Sequence, residues 1–197
     1  MNITLPSPAQ PSKIFIKPRS VIGNKLIFRN AEVDDAEFIL SLRTDKNKSK
    51  YLSSTAPDLA KQINWIEQYA KDASQIYFII ENQDHERVGT VRLYDQKGDS
   101  FCWGSWIKKD GAPPGFGIES ALMVYHFALY LGFEKSHFDV RKQNVSVCQF
   151  HERFGAVIVG QSEQDFYYMI DREAIEKALD KFKRYLPDGI VVDMINT

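Results

Sequence analysis

The turn GAPPGFG, Gly111 to Gly117, constrains this chain more than any other stretch, because of what flanks it. Before it runs an aromatic strand, Phe101 to Lys109. After it comes a strongly apolar helix, Gly117 to Leu131, carrying Ile118, Ala121, Leu122, Val124, Tyr125, Ala128 and Leu129 and closed by Gly132. A strand-to-helix turn leaves backbone N–H groups without acceptors at the positive end of the helix dipole, which suits an anion. Gly115 and Gly117 allow the backbone to approach a phosphate without an intervening Cβ. No lysine follows the glycines, so this is not a Walker A loop, and the spacing is not the dinucleotide fingerprint G-x-G-x-x-G. A bare G-x-G at a helix start is a weak signal by itself.

The segment that follows sharpens it. A strand, Ser136 to Arg141, leads into a second helix, NVSVCQFHERFGA, Asn144 to Ala156, closed by Gly155. This order of G-x-G helix, strand and N-x-x-S/A-x-x-F-H-x-x-F-G-A resembles the GNAT superfamily of N-acetyltransferases, over roughly Leu26 to Ile170. The family's phosphate-loop pattern, Q/R-x-x-G-x-G/A, falls on Ala112 to Gly117. The glycines match; Ala112 stands where the family has Gln or Arg. LIFRNAEVDDAEFILSLR looks like the entry of the ribosomal-protein alanine acetyltransferase-like branch. LRTDKNKSKYLS and FHERFGA are similar to members that acetylate amino sugars on nucleotide carriers.

The resemblance implies acetyl-CoA as acetyl donor and a primary amine as acceptor. It places the pantetheine arm along the strand before the turn, beside the backbone of Trp106 and Ile107, as an added strand would lie. Gly111, Ala112, Gly115, Gly117 and Ile118 then line the pyrophosphate. Asn144 either meets the cofactor, as the matching family residue does, or caps its helix. His151 lies seven residues on, close to two helical turns, and so shares a face with Asn144. It occupies the position of the family's thiolate-protonating tyrosine. An imidazole, with a reference pKa near ~6.5, can donate or accept a proton near neutrality. The competing reading is a packed helix histidine.

Acceptor residues are harder to read. Arg43, Asp45, Lys48 and Tyr51 belong to the first helix and its loop, which shape the acceptor site in this fold; a solvated loop is the plain alternative. Arg92 and Trp103 lie on central strands, and a lone arginine on an aromatic strand faces either an anion or solvent. The candidate acceptor set is Arg43, Tyr51, Arg92 and Trp103. Glu81, at a strand end, is a base or a surface terminus. His85, His126 and His137 have no metal-ligand spacing, and no metal is expected.

The fold class implied is α+β: one domain with a mixed, mostly antiparallel sheet of six or seven strands between helices. Strands are expected at Leu26 to Asn30, Gln75 to Glu81, Arg87 to Tyr94, Ser100 to Lys108, Ser136 to Arg141, Val157 to Gly160 and Asp165 to Ile170. Short turns join the early strands as a meander, and helical connections after Gly111 turn part of the sheet parallel. Helices are expected at Val33 to Thr44, from Pro57 to Ala70, and at Arg172 to Tyr185, capped by Asp171, with Ile175, Leu179 and Phe182 on one face. Residues 1–24 hold Pro6, Pro8, Pro11 and Pro18 and read as an extension, with a short strand at Lys13 to Lys17. Residues 25–171 form the transferase domain; 172–197 pack on it.

A net charge of −1 gives no electrostatic footprint for nucleic acid. No apolar run reaches the length of a membrane span, and no signal pattern opens the chain. Cys102 and Cys148 make no framework and are expected reduced and buried, in a cytoplasmic monomer or homodimer. The alternatives to a small-molecule acceptor are a protein N-terminus, or a non-catalytic acyl-CoA-binding module in which Ala112 and His151 are decayed motif positions.

Overall fold

The computed structural model describes residues 14–195. Nine strands among these residues form one sheet: β1 (Pro18–Ile22), β2 (Leu26–Asn30), β3 (Ile76–Asn82), β4 (Arg87–Lys97), β5 (Ser100–Lys108), β6 (Lys135–Arg141), β7 (Val157–Gln161), β8 (Asp165–Asp171) and β9 (Val191–Met194). Their order is β7-β8-β6-β5-β4-β3-β2-β1-β9, and every neighbouring pair is antiparallel except β5 with β6. The helices are α1 (Ala36–Thr44), α2 (Leu59–Lys71), α3 (Phe116–Tyr130), α4 (Val145–Arg153) and α5 (Arg172–Lys181).

Period-two patterning on β3 builds the layers. Ile76, Phe78 and Ile80 join the core formed with α3, α4 and α5, while Tyr77 and Ile79 join a second core with α1 and α2. Both faces of this central strand are therefore covered, and its residues are nearly all apolar. Helix α3 is buried over most of its length and connects the parallel pair β5 and β6. It ends in a Schellman arrangement: Phe133 N–H donates to Ala128 and Gly132 N–H to Leu129. Helix α4 ends the same way, with Ala156 N–H on the His151 carbonyl and Gly155 N–H on Glu152; Gly155 sits at φ 98°.

Several boundaries differ from the sequence reading. The sheet has two more strands than the seven expected: β1, a hairpin partner of β2, and β9, which reaches β1 over long range. β1 lies at 18–22, not 13–17, inside the segment read as an extension; Lys13 itself falls outside the described residues. Pro18 is tolerated as the first residue of its strand. β9 comes from the tail and pairs with β1. Helix α2 starts after Asp58, whose side chain accepts from Lys61 N–H, so Pro57 precedes the cap and is not its first residue. A 3-10 turn, Val33–Asp35, precedes α1, and α5 stops at Lys181 before a second 3-10 turn, Lys183–Tyr185. Asp171 caps α5 through Ala174 N–H, as expected. On α5, Ile175 is buried, Leu179 is partly buried, and Phe182 just beyond the helix stacks on Phe154.

Candidate active site

Strands β5 and β6 stay together for only two rungs, Ser100 with Lys135 and Phe101 with Ser136. Beyond these they separate, and a cleft of about 340 Å³ opens between them. Trp103 and Trp106 line it from β5, Phe138 and Asp139 from β6, Asn144 and His151 from α4's side, and Arg43 and Tyr51 from α1 and its loop. A bulge shapes the β5 wall. Thr90 pairs with Ile107 but Arg92 with Gly104, so β5 carries two residues opposite Val91, and Ser105 takes φ 47°.

The glycine turn lies at the far end of β5. Gly115 is the N-cap of α3 at φ 87°, a region that L side chains rarely adopt, and the Cβ it lacks would sit 2.9 Å from the Tyr185 ring. Phe116 N–H donates to Pro113 and Glu119 N–H to Gly115, while the N–H groups of Gly117 and Ile118 take no backbone acceptor. These two donors at the start of a 15-residue helix fit a pyrophosphate, with Gly111 and Ala112 in the turn before it. A Cβ on Gly117 would point toward Trp106 at 3.6 Å and Phe150 at 4.0 Å, so the glycine also makes room for the cleft wall. Trp106 is fixed by its indole N–H on Ser120 Oγ, 3.0 Å. Trp106 and the buried Ile107 lie where β5 has no strand partner on the β6 side, the place for an added strand.

Asn144 is the N-cap residue of α4 but makes no capping bond with its side chain. That side chain lines the cleft, with His151 on the same face. His151 is buried among Phe138, Trp103, Phe150 and Tyr168, with ring centres 4.2, 5.3, 5.6 and 6.3 Å away. Its Nδ1 is buried without a partner among the described residues. Burial pushes the imidazole down to about 3, so it is neutral at pH 7 and the ordinary pKa expected from the sequence does not hold here.

A second cavity, about 350 Å³, adjoins the first and shares Arg43, Ser53 and Ser105 with it. Arg92 lines it, together with Trp65 and Tyr77. Of the four acceptor candidates, Tyr51 and Trp103 thus line the first cavity, Arg92 the second, and Arg43 both. Glu81 is remote from both cavities, held by Arg29 at 2.6 Å and near His85. His137 lies 2.7 Å from Ser100 Oγ and 3.2 Å from Asp95. Lys48 binds both Asp45 and Asp110, each at 2.8 Å, and so ties the α1–α2 loop to the glycine turn. Ser105, Asp139, Trp65 and Tyr77 escaped the sequence reading. Only the aromatic spacing of Trp65 and Tyr69 on one helix hinted at a platform; the bulge left no sequence signature. The cysteines are free and buried, and burial pushes the Cys102 thiol up to about 11.

This architecture, a sheet split at one parallel pair beside an open helix N-terminus, is one that suits an acyltransferase. A family model described as an acetyltransferase (GNAT) domain matches residues 25–157, so the chain belongs to the GNAT family and is an N-acetyltransferase. Among solved structures, apo FdhC, described as a nucleotide-linked sugar GNAT, is 35% identical. That match covers 87% of this chain and 97% of FdhC, with a TM-score of 0.76. The spermidine N-acetyltransferase of Vibrio cholerae, solved with CoA and spermine, is 18% identical over 77% of this chain and 98% of its own, TM-score 0.70. A GNAT acetyltransferase of Bacillus anthracis is 16% identical over 78% and 99%, TM-score 0.65. The last two likenesses speak for the fold alone. No curated protein matches the chain. No helix among the described residues is long and apolar enough to cross a membrane, and no cluster of three or more His, Cys, Asp or Glu among them could hold a metal ion.

Proposed function

We propose that this enzyme transfers the acetyl group of acetyl-CoA to the primary amine of a small molecule, an amino sugar on a nucleotide carrier. The observation that carries the donor half is the parting of β5 and β6 after two rungs, beside the open N–H groups of Gly117 and Ile118. The acceptor half is supported by the 35% identity to FdhC, which extends across nearly all of that protein.

Bound acetyl-CoA supplies the acetyl group as a thioester. The chain's own residues align it and shield it. The Gly117 and Ile118 N–H groups hold the pyrophosphate, and Trp106 and Ile107 border the pantetheine arm. Asn144, free of capping duty, offers its amide to that arm. Trp103, Phe138 and Phe150 keep water from the thioester. His151 stands neutral among them, so its N–H would hydrogen-bond the departing sulfur, while the proton that the amine loses as the C–N bond forms and the C–S bond breaks would pass from the amine to the thiolate. Holding two reactants in line supplies much of the rate in such a site. The amine enters from the Arg43 and Tyr51 side.

An acceptor screen scored by release of free thiol tests this reading. UDP-glucosamine, free glucosamine, spermidine and a peptide with a free N-terminal alanine separate the acceptor classes. Turnover with the peptide alone would make the enzyme an N-terminal acetyltransferase. Acetyl-CoA binding with no turnover on any amine would make it a binding module.

A further inference from the structure

We propose that the second cavity is an anion clamp, in which the Arg92 guanidinium, backed by Arg43, holds a phosphate or carboxylate group of the acceptor. This rests on the transferase reading above and says where on the acceptor its negative charge lies.

Arg92 has an unusual position for a guanidinium. It projects from β4, opposite Tyr77 of β3 and Gly104 of β5. Its carbon lies 5.5 Å from the centre of the Trp65 ring and 4.7 Å from that of Tyr94, so aromatic surface covers the group. Covered this way, it has its edge N–H donors left for polar work, and Nε is buried without a partner among the described residues. Among the described residues the Arg92 side chain makes no hydrogen bond and no ion pair. A half-buried cation with unmet donors is costly, and a forked oxyanion is the group that fits it.

No carboxylate in the cavity lining pairs with Arg92, and the acidic group that acts on it from outside the lining, Asp72, is bound by Ser74 and Gln75. Arg43 is oriented by neutral partners: Thr55 Oγ1 at 2.6 Å, Ser53 Oγ at 3.0 Å and Ser105 Oγ at 3.3 Å. The lining carries one carboxylate, Asp58, which caps α2 and sits 3.5 Å from Lys61 Nζ. Its charge is thus committed, and two arginines remain. Tyr77 adds a buried hydroxyl near Thr90 and Arg43, without a partner in hydrogen-bond geometry among the described residues. Burial pulls Arg92 below its ordinary value, and nearby Arg43 adds to that; an anion relieves both. A polyamine would meet like charge here. Because the two cavities share Arg43, Ser53 and Ser105, an acceptor anchored in the second reaches the first with its amine.

Calorimetric titration tests the clamp, with CoA saturating so that the α3 N-terminus is filled. UDP and inorganic pyrophosphate probe the phosphate source, glutamate the carboxylate source, and spermidine the opposite charge. One of the anions should bind and spermidine should not. Arg92→Gln should weaken that anion by about ten- to a hundred-fold, the range for hydrogen bonds to a charged group. Arg92→Lys should keep part of the affinity, and acetyl-CoA binding should not change. Should Arg92→Gln fail to fold, Arg43→Gln carries the same comparison. Anion affinity unchanged in the folded variant, or spermidine binding in place of the anions, overturns the clamp. Loss of acetyl-CoA binding in the wild-type protein would overturn the transferase reading instead, and the Arg92→Gln comparison would still decide the clamp.

Discussion

Thr90 donates its hydroxyl to the Ser105 carbonyl at 2.8 Å, pinning the bulge that turns β5 into the cleft. Thr90 is fully buried. Thr90→Val keeps the shape but removes the donor, leaving a half-buried carbonyl without that bond at a cost of about 1 kcal/mol. Thermal unfolding should fall by several degrees, and the KM for acetyl-CoA should rise as the Trp106 wall loosens. A melting temperature and KM equal to wild type would show that the bulge holds without this bond.

Gly117→Val should weaken acetyl-CoA binding while the fold persists. The added Cβ meets Trp106 at ordinary contact distance, but the γ-methyls must press into the indole or Phe150. That displaces the cleft wall just where the α3 N–H groups begin. Gly117→Ala, which stops at the Cβ, should bind far better than the valine variant. Equal cofactor affinity in wild type and Gly117→Val, with circular dichroism unchanged, would move the cofactor away from this turn.

His151→Ala should lower turnover by roughly ten- to a hundred-fold, the range for losing one hydrogen bond to a charged group, with little change in acetyl-CoA affinity. Because burial holds the imidazole down at about 3, the wild-type rate should show no His151-dependent inflection between about pH 5 and 8. A wild-type inflection in that window that vanishes in His151→Gln would restore imidazolium chemistry. Wild-type turnover in His151→Ala, with chemistry rate-limiting, would make the residue structural.

The same burial predicts acid lability. Unfolded, the His151 imidazole takes up a proton near pH ~6.5; folded, it does so only near 3. Its contribution to stability is complete above ~6.5 and is lost as pH falls toward 3. The slope is at most ~1.4 kcal/mol per pH unit. His151→Phe should flatten that part of the stability curve. Parallel curves for the two proteins between pH 6 and 4, a window of about two units, would show that the folded imidazole protonates as freely as the unfolded one.

Much of the fold was legible because it is written in local periods. The apolar run of α3, its Gly132 end and the Gly155 end of α4 state their own boundaries, and the short turns between β3, β4 and β5 announce a meander. The shared face of Asn144 and His151 also follows from helical spacing alone. Strands β1 and β9 were not legible in the same way. Ile22 pairs with Ile27 in a hairpin with β2 and with Val191 across the chain, and nothing near β9 in sequence shows that second register. The state of His151 was likewise undecided: the same imidazole titrates near neutrality in water and near 3 among four rings, and those rings come from β5, β6, α4 and β8. Arg92 shows the same division. Sequence places it on an aromatic strand, but only the docking of α2 over the sheet brings Trp65 against its guanidinium. Local hydrogen bonding and side-chain periodicity are properties of short segments. Burial, charge compensation and strand partners depend on which distant segments meet, and folding alone decides that.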